Sequence, residues 1–476
     1  MKKVCLKVGI LLLALLMIFP LAAGCKKKDQ GKDPAKIDGE STSGEVTHLV
    51  EPQNLGGKEF VFGCSTWYGY APLDYTDLCP EGFNGEFVND AAYDRLYYME
   101  EFFNCSVNVR NFDSEQVVNE LTQNAMAGSD GFDFVYFRGA QYVAAVNSGC
   151  LTELSDLDFD LDNPWWDRNV VSATTINNKF YALVGDTTFN SLLAVNLIAF
   201  NKTLVQNFIL DNPYELVTNG EWTFSNMVSM AKEIADETQD GESGMSPSDR
   251  WGLYYTRDCV QGLLNSCGVK MVEKNANGEL NLVITSYTSQ IQDILTVLYD
   301  MTYAVDTLSE GQRGTEYPSF DSGLVLFRMM AAHNASQLRN YDVDYGLLPY
   351  PKYTETADYA PTVTCNFLSF LAIPNNNEDY SGSVKFLEAF SAQGYKKVRP
   401  MFYENMLLRK VGRDEESYNM LKFIFENLTY DTGCMFEIVD GILNTSQDQN
   451  PNFSTVVAQR RLIWKNNLEE LLKSYQ

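Results

Sequence analysis

Between residues 58 and 148 three short apolar runs alternate with three helical ones, and that alternation leaves few folds open. Residues 58–64 (KEFVFGC) read as an aromatic-rich strand. Over 90–103, Ala91, Leu96, Met99 and Phe103 share one stripe at helical spacing. Residues 107–109 form a second strand, and 114–127 a helix with Ser114 as its N-cap. Residues 132–137 (FDFVYF) are a buried strand, and 140–148 a helix that stops at Gly149. A strand–helix–strand repeat of this kind returns each strand to the same edge direction. The expected class is therefore α/β, with a mostly parallel sheet.

The rest of the chain continues in the same style. Residues 179–183 are extended, and 192–200 (LLAVNLIAF) read as a long apolar strand. A helix is expected over 222–234, with Thr223 or Ser225 near its start, followed by a polar loop at 236–249. Helices are expected at 291–301, 383–390, 417–427 and 456–472, and strands at 324–327, 345–348 and 368–373. About 425 residues remain for folding once the N-terminal segment is set aside, enough for two or three domains.

That segment has its own logic. Lys2, Lys3 and Lys7 precede an apolar run over 8–23, and Ala22, Ala23 and Gly24 lead into Cys25. This is the layout of a secretory signal, short for a membrane span and interrupted by Pro20. The stretch Ala22-Ala23-Gly24-Cys25 resembles the lipobox of bacterial lipoproteins, which implies acylation of Cys25 and a signal peptide over 1–24. Residues 26–47 are rich in Lys, Asp, Gly and Ser and poor in apolar side chains, so 25–48 is expected to be a flexible stalk.

Composition removes several function classes. Net charge is −27, which repels nucleic acid. Ten Cys occur without any C-x-x-C, so ribbon and redox motifs are absent. A bridge between Cys64 and Cys79 is compatible with their spacing, which does not decide it. With only His48 and His333 present, a His-based metal site or serine-type triad would have to rest on His333, whose neighbours offer no second ligand. Asp156, Asp158, Asp160, Asp162 and Asp167 stand at calcium-loop spacing, but Leu161 occupies the turn position and the last position lacks Glu. No metal and no cofactor are expected. The 27 Tyr and 28 Phe supply flat apolar faces with polar tips, which suit sugar rings.

Five motifs in order then resemble the family 1 extracellular solute-binding proteins, the receptors of ABC importers for carbohydrates. They are DFVY at 133–136 followed by GCLTEL at 149–154, NKFYAL at 178–183, AFNKTL at 199–204, EWTF at 221–224, and YGLLPYP at 345–351. The resemblance implies a two-lobed periplasmic-binding-protein-like (type II) fold with crossing hinge strands. Lobe one would hold 50–195 plus 372–400, and lobe two 200–364 plus 405–476. Crossings would fall at 193–200, at 365–373 and near 400–408. The partners implied are a carbohydrate ligand, expected from the aromatic load to be an oligosaccharide, and the permease subunits, with the membrane reached only through the lipid. The chain would act as a monomer and not as an enzyme.

Ligands of open α/β sheets sit beyond the carboxyl ends of the strands. That rule selects Trp67, Tyr68, Arg138, Gln141, Asp186, Asn190, Thr256, Arg257, Asp258, Arg328 and Asn366 as candidates. Arg donates and Asp accepts strongly, as sugar hydroxyls require. Solvated or ion-paired roles compete for Arg138 and Asp186, and Trp165, Trp166 and Trp222 suit packing. Two other functions compete: a secreted glycan-degrading enzyme, which needs two facing carboxylates, and a surface lipoprotein without a transported ligand.

Overall fold

The computed structural model describes residues 48–66, 75–113, 116–129, 131–236, 248–275, 278–301, 305–306, 320–338, 341–408, 415–440 and 452–476. The signal segment, Cys25, the stalk, Trp67, Tyr68 and Ser114 lie outside them.

The first sheet forms from β1 (Lys58–Thr66), β2 (Cys105–Asp113), β3 (Phe134–Arg138) and β11 (Ser369–Ala372), in the order β11-β3-β1-β2. β1 pairs parallel with β2 and β3, as the strand–helix repeat requires. β11 arrives from far along the chain and pairs antiparallel with β3. Period-two alternation puts Phe60, Phe62 and Cys64 on one fully buried face. Their rings meet Phe134 and Phe386, with centroids 4.1 Å apart for Phe60 on Phe386. On the other face Gly63 lies beneath Phe132, where an added Cβ would come within 2.8 Å of the ring.

The second sheet holds β10 (Tyr345–Leu348), β4 (Asn196–Asn201), β9 (Val325–Ala331), β5 (Trp251–Thr256) and β8 (Val305–Asp306), in that order. All six residues of β4 are buried, as the continuous apolar run foretells. A small hairpin joins β6 (Val272–Lys274) to β7 (Leu280–Leu282). Trp222 is fully buried and donates from Nε1 to the Pro349 carbonyl at 2.9 Å. Thr223 caps the helix Phe224–Ile234 by accepting from Asn226 N at 3.2 Å. Among the described residues, no helix is long and apolar enough to cross a membrane.

Two segments joining the sheets lie side by side. Val195 and Val363 form an antiparallel bridge. Asn196 N donates to Thr362 O at 2.9 Å, and Thr364 N to Ala194 O at 2.8 Å. The Asn196 side chain donates to Thr362 Oγ1 at 3.0 Å and accepts from Thr364 Oγ1 at 2.8 Å. A buried amide thus pins both segments at once.

Two expectations need correction, and the cysteine pairing left open is resolved. The strand expected from Leu192 begins at Asn196, because Asn190–Leu193 coil into one helical turn. An apolar run alone does not separate the two, and Leu192 N finds its partner locally at Phe189 O. The crossing expected near 400–408 is helical: Tyr380–Gln393 runs through a π-turn, Gly394–Val398, into the helix Arg399–Leu408. Cys64 and Cys79 are free thiols, and the disulfide joins Cys365 to Cys434, 69 residues apart.

Trp165 and Trp166 are structural. Their indole N–H groups donate to the carboxylate of Glu388 at 2.7 and 3.0 Å, and Asp160 N adds a third bond at 3.0 Å. Asp167 caps the helix Arg168–Thr174, accepting from Asn169 N and Val170 N.

Candidate functional site

Arg138 ends β3 and is 1 % exposed. Directly after it the chain makes a tight turn, Gly139–Gln141, in which Arg138 N donates to Gln141 Oε1 at 3.0 Å. A second tight turn, Cys365–Phe367, carries Asn366 and packs against the first. The contact is backbone on backbone: a Cβ on Gly139 would stand 1.9 Å from the Cys365 carbonyl oxygen. Asn190 opens the helical turn that contacts β11, and Ser191 Oγ reaches Ser369 O at 3.5 Å. Ser369 is the register partner of Arg138. Arg138, Gln141, Asn190 and Asn366 are thereby brought together.

The second sheet adds a residue that the sequence reading weighed only for metal or catalysis and did not select for a ligand. His333, two residues beyond β9, meets Phe367 edge-on with ring centroids 5.2 Å apart. Burial pulls the His333 imidazole down to about 4 against a backbone hydrogen bond at Leu193, and the charges of Arg138 and Arg328 add to the effect. His333 is therefore neutral at neutral pH, with one ring nitrogen able to donate and the other to accept. Arg328 sits over the Tyr254 ring, 5.8 Å from its centroid, and Nη1 donates to Tyr341 Oη at 3.4 Å.

Asp186 belongs to a neighbouring cluster. It is 7 % exposed and accepts from Arg399 Nη1 at 3.1 Å. Arg399 also donates from Nε to Tyr403 Oη at 2.7 Å. Burial pushes the Asp186 carboxyl up to about 6, with the Arg399 guanidinium pulling back. Burial would lower Arg399, but Asp186 and Tyr403 together carry it higher, so it stays charged. Nearby, Tyr430 Oη donates to Asp167, whose carboxyl burial also raises. The chain before Asn190 is held from below by Asp77, which accepts from Thr188 Oγ1 at 2.7 Å and Phe189 N at 3.1 Å.

Thr256, Arg257 and Asp258 stand apart from this grouping in the chain. Thr256 precedes the helix Arg257–Ser266, with Asp258 in its first turn and the Thr256 hydroxyl 3.4 Å from Cys259 Sγ. That helix leans on the crossing segments through Gly262, whose added Cβ would meet Asn196 Nδ2 at 2.2 Å. Arg399 and Tyr403 carried one available signal, their place beside the expected third crossing. His333 and Asp77 carried none in spacing.

The raised carboxyl of Asp186 makes a prediction with a definite sign. Its folded value near 6 exceeds the usual 3.8. The folded state therefore binds more protons in that window, and the stability that Asp186 contributes falls as pH rises through it. Asp186→Asn should flatten the stability profile between about pH 4 and about pH 7, by up to about 3 kcal/mol relative to the parent. Urea denaturation of both proteins across that range checks it; parallel profiles would contradict the assignment.

Comparison with known proteins agrees with this architecture. The profile of the bacterial extracellular solute-binding protein family matches residues 97–396. No curated protein matches the chain. Among solved structures, the extracellular solute-binding protein from Staphylococcus aureus in complex with maltose is 13% identical, covers 87% of this chain and 98% of its own, and superposes with a TM-score of 0.54. A cyclo/maltodextrin-binding protein complexed with maltotetraose is 14% identical, covering 89% and 97%, with a TM-score of 0.53. The galacto-N-biose/lacto-N-biose I-binding protein of the ABC transporter from Bifidobacterium longum, with lacto-N-biose bound, is 13% identical, covering 87% and 98%, with a TM-score of 0.53. The two sheets and their paired connecting segments thus have the two-lobed periplasmic-binding-protein-like fold, and the chain belongs to the bacterial extracellular solute-binding protein family.

Proposed function

We propose that the chain is the receptor lipoprotein of an ABC importer, taking an oligosaccharide at the junction of the two sheets and presenting it to the permease. The observation that carries the reading is the convergence of Arg138, Gln141, Asn190, His333 and Asn366 where the sheets meet. These groups offer charged and neutral donors beside acceptors, and Phe367 and Tyr254 add half-buried ring faces. A sugar needs that mixture of apolar wall and placed polar groups. That the similar structures hold maltose, maltotetraose and lacto-N-biose supports the same ligand class.

In this reading the lobes comprise 50–195 plus 372–400 and 200–364 plus 405–476, and they close about the segments pinned by Asn196. Ligand favours the closed state through the contacts it gains there. On the strand-end rule alone we add to the contact set Trp67 and Tyr68, which lie outside the described residues, and Thr256, Arg257, Asp258 and Arg328, with the Asp186 and Arg399 pair at its edge. Acylated Cys25 and the 26–47 stalk keep the body at the outer face of the membrane. A thermal-shift screen over neutral oligosaccharides, with mass spectrometry of the same mixtures, tests it. A shift with intact sugar is expected; released product would establish the glycan-degrading enzyme instead.

A further inference from the structure

The disulfide ties two segments that meet at the candidate site. Cys365 opens the turn that carries Asn366 and Phe367, and Cys434 lies in the helical turn Thr432–Met435, with Cα atoms 6.1 Å apart. The Thr432–Met435 turn is itself fixed from both sheets' surroundings. Thr432 Oγ1 donates to Ala173 O at 2.9 Å, on the first-sheet side. Just before it, the Asp431 carboxylate accepts from Met271 N and from Cys434 N, both at 2.9 Å. The other end abuts the turn after Arg138, with no room between the Gly139 α-carbon and the Cys365 carbonyl for a methyl group. Gly139 N then donates to Leu368 O at 2.9 Å, and Leu368 N to Cys365 O at 3.1 Å. A covalent bond to an anchored turn thus ends two residues from Phe367 and in backbone contact with Gly139.

We propose that the bridge between Cys365 and Cys434 is a positioning element for ligand binding. It holds Asn366 directly, and the Gly139–Gln141 turn through backbone contact, in the geometry that receives the ligand. The idea rests on the receptor reading above but makes a claim of its own about the bond. Such supporting links matter because binding groups must be held to within a fraction of an ångström. Reduction by a water-soluble trialkylphosphine breaks the S–S bond. The phosphine supplies two electrons and leaves as its oxide with oxygen from water, and each sulfur takes up one proton. Cys64, Cys105, Cys150, Cys259 and Cys267 are buried free thiols, which the phosphine leaves unchanged.

The test compares the oxidised and phosphine-treated mature protein by amide hydrogen exchange and by calorimetric titration with maltotetraose. On reduction, the amides of Gly139 and Leu368 should exchange at least about tenfold faster, while those of β1 and β4 keep their protection. Affinity for maltotetraose should fall about tenfold, and Cys365→Ser/Cys434→Ser should bind weakly with or without phosphine. Unchanged exchange at Gly139 and Leu368 would overturn the proposal whether or not maltotetraose binds. A lowered melting temperature with unaltered affinity would also overturn it, leaving the bond a purely stabilising one. Failure of the oxidised protein to bind maltotetraose, with the exchange difference present, would count against that sugar as ligand and support the positioning role.

Discussion

Asp77→Ala should cost about 3–5 kcal/mol of folding stability, because it strands a buried positive charge. Arg95 is fully buried, and its guanidinium stacks 3.8 Å from the Phe390 ring centroid. Its charged partner is Asp77, 1 % exposed, with Nη2 to Oδ2 at 3.5 Å. Arg95 Nη1 spends its other donors on the Thr187 carbonyl at 2.8 Å and the Asp186 carbonyl at 3.5 Å. Burial raises the Asp77 carboxyl despite Arg95, Thr188 and Phe189, so the pair is not a source of large net stability. Breaking it from one side is a different matter, since neutral carbonyls do not balance a full charge. Removing both ends, as Asp77→Leu/Arg95→Leu, should recover much of the loss. Urea unfolding of the singles and the double decides it. A single-variant cost below about 1 kcal/mol would show that water reaches the Arg95 site.

Gly139→Val should cost about 3 kcal/mol and abolish glycan binding together. Two backbones touch at this glycine, and neither is a flexible tip that can swing away: the added carbon meets Cys365 O at 1.9 Å and Cys365 C at 2.8 Å. Relief requires the Cys365–Phe367 turn to move, and Asn366 with it. Gly82→Ala is the matched control, since nothing lies within 4 Å of the added carbon there. It should change stability by no more than about 0.5 kcal/mol. Melting and titration of both variants check the pair of expectations. A Gly139→Val protein that binds normally would mean the two turns are not seated as described.

The parallel sheet was legible because its evidence is local. β1 carries an apolar alternation and β3 a continuous apolar run, and the segments between carry helical spacing, so β1, β2 and β3 follow from the chain order. The strand Tyr345–Leu348 was readable for the same reason, bounded by turn residues at Pro349 and Pro351. The segment before Asn196 was not, because Leu192 and Leu193 suit either a strand or a helical turn, and a local carbonyl decided it. The third connection misled in the other direction. The resemblance implied a crossing strand near 400–408, yet Pro400 is tolerated in the first turn of a helix, where it sits here.

The candidate site was half readable. Rules about strand ends selected Arg138, Gln141, Asn190 and Asn366, and these four lie on the neighbouring turns of the candidate site. They could not find the partners. Asp186 meets Arg399 across 213 positions, and Cys365 meets Cys434 across 69. Such pairings depend on how the sheets are placed, and no spacing within a window encodes that. His333 was weighed only as a metal ligand or catalytic base. Its edge-on position against Phe367 is a property of the fold and not of its neighbours in sequence.

The central claim is that the junction around Arg138 receives a sugar. Calorimetric titration of the oxidised mature protein with neutral oligosaccharides, beside Arg138→Ala, tests it most directly. One saturable site with a Kd of about 1 μM, weakened at least about tenfold in the variant, is the predicted result. Binding of equal strength in both proteins, or no heat with any glycan, would contradict it.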